Sequence, residues 1–139
     1  MIDDDAGLRN VLQATRTIAV VGLSDNPTRP SHTTARYMQA QGYRIVPVNP
    51  TCTEVLGEPC HASLRDIPFP VDMVDVFRRA EEVPAVVEDA IAIGAPCVWL
   101  QLGVIHPEAA ARAETAGLQV VMDRCVKIEH ARLLLAPSA

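Results

Sequence analysis

Read for its alternation of apolar and polar positions, the chain divides into short apolar runs separated by amphipathic stretches. TIAVVG, Thr17 to Gly22, is a β-branched run closed by glycine, the profile of a strand buried on both faces. YRIVPV (Tyr43 to Val48), VDMVDVF (Val71 to Phe77), CVWL (Cys97 to Leu100) and LQVVM (Leu118 to Met122) repeat that profile. Between them the spacing turns helical. Ser31 is placed to cap a helix through TTARYMQAQ that Gly42 stops. Val83, Val86, Val87, Ala90 and Ile91 follow the three-four spacing of a second helix, with Pro84 in its first turn and Glu81 and Glu82 at its positive end. Pro107 opens another that Gly117 closes, and two more are expected at Asp4 to Ala14 and Val126 to Leu135.

Strand and helix in steady alternation predict an α/β fold, because parallel neighbours need crossover connections. The expectation is a single Rossmann-like domain over residues 1–139, a mainly parallel five-stranded sheet with helices on both faces. CTEVLGEPCHASLRDIPF, Cys52 to Phe69, reads as a loop with at most a short helix.

Composition narrows the partners. Apolar residues make up 49% and charged residues 21%, so disorder is not the default. A net charge of -5 argues against nucleic acid, which calls for a basic face. No apolar run is long enough to cross a bilayer, and the acidic opening MIDDDAG has the wrong charge for a secretory signal, so a cytoplasmic protein is expected. Cys52, Cys60, Cys97 and Cys125 are then expected as thiols. Cys52, Cys60 and His61 lack zinc spacing, and no metal site is expected.

Ligands of open parallel sheets sit at the carboxyl ends of the strands, where strand order reverses. The loop after the first strand, GLSDNPTRPS, keeps Gly22 and then departs from G-x-G-x-x-G, placing Leu23, Ser24, Asp25, Asn26 and Pro27 where further glycines would stand. The second strand ends in Asn49 and Pro50 rather than the acid that binds a ribose in NAD sites. Both halves of the NAD signature are missing. What remains is a longer loop feeding a helix start, an anion site to which Ser24, Arg29 and Ser31 add donors. A carboxylate at Asn49 would repel a ribose phosphate, and its absence admits coenzyme A, with its pyrophosphate, 3′-phosphorylated adenosine and thin pantetheine arm.

VVGLSDNPTRPSHTTARYMQAQGYRIVPVNP, VDVFRR, VWLQLGV and VMDRCVKIEH resemble the small CoA-binding domain proteins, and the fold resembles the CoA-binding domain of the succinyl-CoA synthetase alpha subunit. The resemblance runs from about Arg16 to Leu134. It implies that Gly22, Leu23 and Ser24 border the CoA phosphates with Arg29 nearby, and that Asn49 and Pro50 flank the nucleotide. It further implies that Val76, Phe77 and Arg78 border the adenine or the start of the arm, with Gln101 and the turn of Asp123, Arg124 and Cys125 further along it. The phosphorylated histidine of the synthetase belongs to a second domain that has no counterpart in this sequence, so the ligand is expected without that reaction.

No catalytic set stands out. Cys125 beside Arg124 and Lys127 suits a thiolate at a helix start, open to disulfide exchange with CoA, but His130 lies about 140° round the helix from it. Asp75 is read as an anchor or cap rather than an acid, His32 as a further phosphate donor, His106 as a loop residue. Two functions stay open: a binding module that carries, senses or regulates through CoA or acyl-CoA, and the ligand-binding subunit of an acyl-CoA ligase or transferase completed by another chain. A homo-oligomer or a partner subunit is compatible with either.

Overall fold

In the computed structural model, which describes residues 1–135, five parallel strands form one sheet flanked by five helices. The strands are β1 (Thr17–Val21), β2 (Arg44–Val48), β5 (Met73–Val76), β6 (Cys97–Leu100) and β7 (Gln119–Val121), in the order β2-β1-β5-β6-β7. The chain steps outward from β1 to β2, returns across β1 to β5 and continues away through β6 and β7. The direction of winding therefore reverses between β1 and β5, which pair in parallel with Val21 opposite Val76. Crevices open at the carboxyl ends of two such strands, because their following segments leave toward opposite faces.

Side-chain alternation divides the sheet into two surfaces. Ala19, Val21, Val46, Val74, Val76, Val98 and Leu100 face α3 (Val83–Ala92) and α4 (Pro107–Thr115). Ile18, Val20, Ile45, Met73, Cys97 and Trp99 face α1 (Asp5–Ala14), α2 (Pro30–Ala40) and α5 (Val126–Leu133). Double-sided burial explains the unbroken apolar runs. Trp99 is fully buried, and its indole N–H donates to the Arg124 carbonyl at 2.8 Å.

The segment after β2 holds more structure than its composition predicts. A two-residue turn at Leu56 and Gly57, both at positive φ (56° and 76°), joins β3 (Glu54–Val55) to β4 (Glu58–Pro59). Such turns favour Asn-Gly or Asp-Gly, and leucine at the first place conceals the hairpin. Gln39 Nε2 donates to the Leu56 carbonyl at 3.0 Å and helps hold the turn. A 3-10 turn at Leu64–Asp66 is the short helix expected there.

Both margins of the sheet are partly covered. His61 pairs alongside Val48, donating its amide to the Pro47 carbonyl and accepting from the Asn49 amide. Pro47 is tolerated because β2 is an edge strand. At the opposite margin the Ile2 amide donates to the Val120 carbonyl of β7 at 2.9 Å.

Candidate functional site

The seam between β1 and β5 dictates a glycine. Gly22 follows β1 at φ +86°, donates its amide to the Val48 carbonyl, and would drive a Cβ to within 2.2 Å of the Phe77 carbonyl oxygen. Phe77 in turn donates its amide to the Val21 carbonyl at 2.9 Å. The two loops thus leave the sheet in backbone contact, and the space beyond them is a cavity of about 1040 Å³. That is at the upper end of the roughly 300–1,000 Å³ usual for small-molecule sites.

One wall is the start of α2. The helix begins two residues earlier than its serine predicts: Arg29 is the N-cap, without a side-chain cap, and Pro30 occupies the first turn. Proline suits that place because its φ is already helical and its missing N–H has no partner to lose. Ser31 is therefore not the cap; its hydroxyl accepts the Ser24 amide at 3.0 Å and braces the loop. The loop is otherwise self-supporting, with Ser24 Oγ accepting from the Asn26 amide and Asn26 Oδ1 from Thr28. The His32 and Thr33 amides donate to the Arg29 carbonyl, so this start, without a side-chain cap, offers an anion the Ser31 amide and a positive dipole end.

Charge reinforces this. Arg29 and Arg78 line the cavity and form no ion pair among the described residues. Arg79 and Glu81, also on the wall, stand 3.9 Å apart, and the Arg79 amide donates to Glu82. Two guanidinium groups without carboxylate partners beside an open helix start make the strongest anion-attracting region of the site.

The cavity gathers Gly22, Ser24, Arg29, Ser31, Phe77, Arg78, Gln101 and Cys125 of the residues singled out in the sequence. Five others do not line it. Leu23 and Val76 are fully buried, Val76 because strand alternation turns it toward α3 and α4. Asn49 spends its amide on the Leu23 carbonyl and its oxygen on the Thr51 amide and hydroxyl, the Asx-turn chemistry its position before Pro50 suggests. Pro50 follows on the exposed side of that turn. Arg124 bonds Glu129 and the Asp3 carbonyl instead of facing the cavity.

His32 turns inward and is absent from the wall, with Nδ1 buried and unpartnered among the described residues. His106 is an N-cap rather than a plain loop residue; its Nδ1 accepts the Ala109 amide. Thr34, Pro30, Leu102, Val104 and Ile128 complete the wall and were not singled out. Thr34 had a signal: it stands three residues beyond Ser31 and shares its helix face.

Cys125 is the N-cap of α5 and half-buried, facing the cavity. His130 is turned elsewhere, 2.9 Å from the Tyr37 hydroxyl, and burial lowers its pKa. Under the wall lies Asp75, in the middle of β5 and 1% exposed, accepting from Gln101 Nε2 at 2.5 Å. Burial pushes its carboxyl up to about 7 against the opposing pull of the Gln101 hydrogen bond. Among the described residues no helix is long and apolar enough to cross a membrane, and no three His, Cys, Asp or Glu side chains gather as metal ligands.

Known proteins resemble this chain in sequence and fold. The family described as CoA binding domain matches residues 16–131. The uncharacterized protein YneT of Bacillus subtilis (strain 168) is 45% identical over 126 residues, which are 91% of this chain and 93% of that protein. A solved structure, a hypothetical protein from Pyrococcus horikoshii OT3, superposes with a TM-score of 0.92 at 39% identity, over 95% of this chain and 93% of that one. The ADP-forming acetate–CoA ligase II of Archaeoglobus fulgidus is 31% identical over 81 residues, 57% of this chain and 12% of the ligase.

Proposed function

Because the chain belongs to the CoA-binding domain family, we propose that its cavity binds coenzyme A or acyl-CoA without covalent chemistry, as a carrier, sensor or regulator. The observation that carries this reading is the conjunction, at the reversal point of the sheet, of an uncapped helix start with the unpaired Arg29 and Arg78. A diphosphate is the group such a corner suits, since it is a compact anion that accepts from amides and guanidinium groups together. Phe77 provides a flat apolar surface on the same wall, and Gln101 and Cys125, also on it, offer contacts for a pantetheine arm. The end of β2 still carries Asn49 and no carboxylate, which leaves a ribose phosphate unopposed there even though Asn49 itself is spent on the turn.

Isothermal titration with CoA, dephospho-CoA and NAD tests the reading. CoA binds most tightly and NAD least if it is right; equal affinity for CoA and dephospho-CoA removes the argument from β2, and a preference for NAD removes the reading altogether.

The ligase relative favours a second reading, a ligand-binding subunit completed by another chain, because the matched piece is 12% of a larger enzyme. Native mass spectrometry of the protein isolated from its own cells separates the two: a stoichiometric second chain supports the subunit, and a CoA adduct on the lone chain supports the carrier.

A further inference from the structure

Asp75 is the feature of the sheet that folding alone does not explain. It sits between Val20 and Trp99 on neighbouring strands, on the face made by Ile18, Met73 and Cys97, where an apolar side chain would cost nothing. Glu129, the other buried carboxylate, has Arg124 and Arg132 against it. Asp75 has a neutral partner, the amide of Gln101.

That partner is the residue at which the sheet meets the cavity. Gln101 follows β6 directly, is 3% exposed, and still contributes to the cavity wall. A primary amide has two different ends, and an ionised carboxylate only accepts, so Asp75 dictates which end of Gln101 turns inward. Nε2 points at Asp75 and Oε1 is left without a protein partner among the described residues. The wall nearby is apolar, made of Leu102, Val104 and Ile128.

We propose that Asp75 is a positioning residue that fixes the amide of Gln101 so that the cavity presents a hydrogen-bond acceptor, and that this acceptor takes an amide N–H of the pantetheine arm. The inference rests on the CoA reading and goes beyond it by assigning recognition of the arm, as distinct from the nucleotide, to one buried pair. A pantetheine arm carries two secondary amides, and each N–H withdrawn from water into apolar surroundings needs an acceptor. A freely rotating glutamine would offer donor and acceptor alternately; one held by a carboxylate offers only the acceptor, and discriminates against ligands that bring an acceptor to the same place.

Titration calorimetry near pH 8 with two probes, CoA and adenosine 3′,5′-bisphosphate, tests the pair, because the second probe has the nucleotide and lacks the arm. Gln101→Leu is expected to weaken CoA about tenfold, as for a donor left unsatisfied, while the bisphosphate affinity stays unchanged. Asp75→Asn, which keeps the shape and frees the amide to turn either way, weakens CoA by a smaller factor with the same selectivity. The exchanged pair Asp75→Asn/Gln101→Glu, in which the asparagine donates and a carboxylate oxygen faces the cavity, recovers most of the loss. Should Gln101→Leu fail to fold over a buried unpaired carboxylate, Asp75→Asn/Gln101→Leu gives the same readout.

The proposal is overturned if the substitutions weaken both probes equally, if CoA is unaffected, or if the exchanged pair recovers nothing. It also falls, with the nucleotide reading left standing, if the unsubstituted protein binds the bisphosphate as tightly as CoA. Binding of neither probe sinks the CoA reading itself.

Discussion

The two faces of the sheet are built from the same strands to different rules. Toward α3 and α4 the buried residues are aliphatic throughout, valine, leucine and alanine with no polar member. Toward α1, α2 and α5 lie all the buried polar groups of the described chain: Thr15, Ser31, His32, Thr34, Asp75, Gln101, Glu129 and His130. Each needs a partner to be tolerated there. Most have one, from Thr15 bonded to the Val11 carbonyl to His130 against Tyr37. The contrast teaches that one surface is given wholly to holding the fold together while the other yields part of its packing to the cavity.

Substitutions on opposite sides should accordingly separate stability from ligand affinity. Leu100→Ala, on the aliphatic face and fully buried, should cost about 2–5 kcal/mol in urea unfolding. CoA affinity of the folded protein should not move; a matching loss of affinity would show that the faces are not independent.

Asp75→Asn should move stability the other way. Burial raises the Asp75 carboxyl to about 7, above its unfolded value, so the folded chain keeps a proton that the unfolded chain has released. The stability this contributes is complete below about pH 4 and is lost as pH rises through 7. The asparagine variant should therefore be more stable than the natural protein by about 4 kcal/mol near pH 8 and close to it near pH 4. Urea midpoints across that range check the sign, and a variant that is less stable at the alkaline end contradicts the cost assigned to this residue.

At the seam between the faces, Gly22→Ala puts a side chain at positive φ and against the Phe77 carbonyl oxygen. The strained backbone alone costs about 1–3 kcal/mol. Thermal melting reads the loss, and CoA titration should show affinity falling with it, because the same backbone contact shapes the cavity. The smallest effect on folding belongs to Arg29→Ala. This exposed, unpaired residue should leave the melting temperature unchanged while weakening CoA about tenfold, the worth of one charge-assisted hydrogen bond. Added salt should narrow the gap between Arg29→Ala and the natural protein.

The elements were legible because burial on both faces leaves strands as continuous apolar runs that end in glycine or a polar residue. Those runs and the period-3.6 patterns with their caps placed the five sheet strands and five helices to within a few residues. Sequence hid the hairpin at Leu56 because its turn uses a leucine where the geometry favours asparagine, and hid the true start of α2 because Pro30 outranks a following serine. The cavity wall was legible where backbone and charge mark it, at Gly22, Arg29 and Arg78. It was illegible where strand alternation decides: Val76 and Phe77 are adjacent, yet only Phe77 reaches the cavity. Asp75 was noticed as an anchor, but that it anchors Gln101 depends on pairing β5 with β6 across 26 positions of sequence.

The partly covered margins of the sheet limit how copies of this chain can associate. With His61 bonded to the outer backbone at the end of β2 and Ile2 bonded to β7, each edge strand has part of its row of amides and carbonyls covered. Lengthening of the ladder through either flank is thereby hindered at those positions, while the strand termini that frame the cavity stay unencumbered.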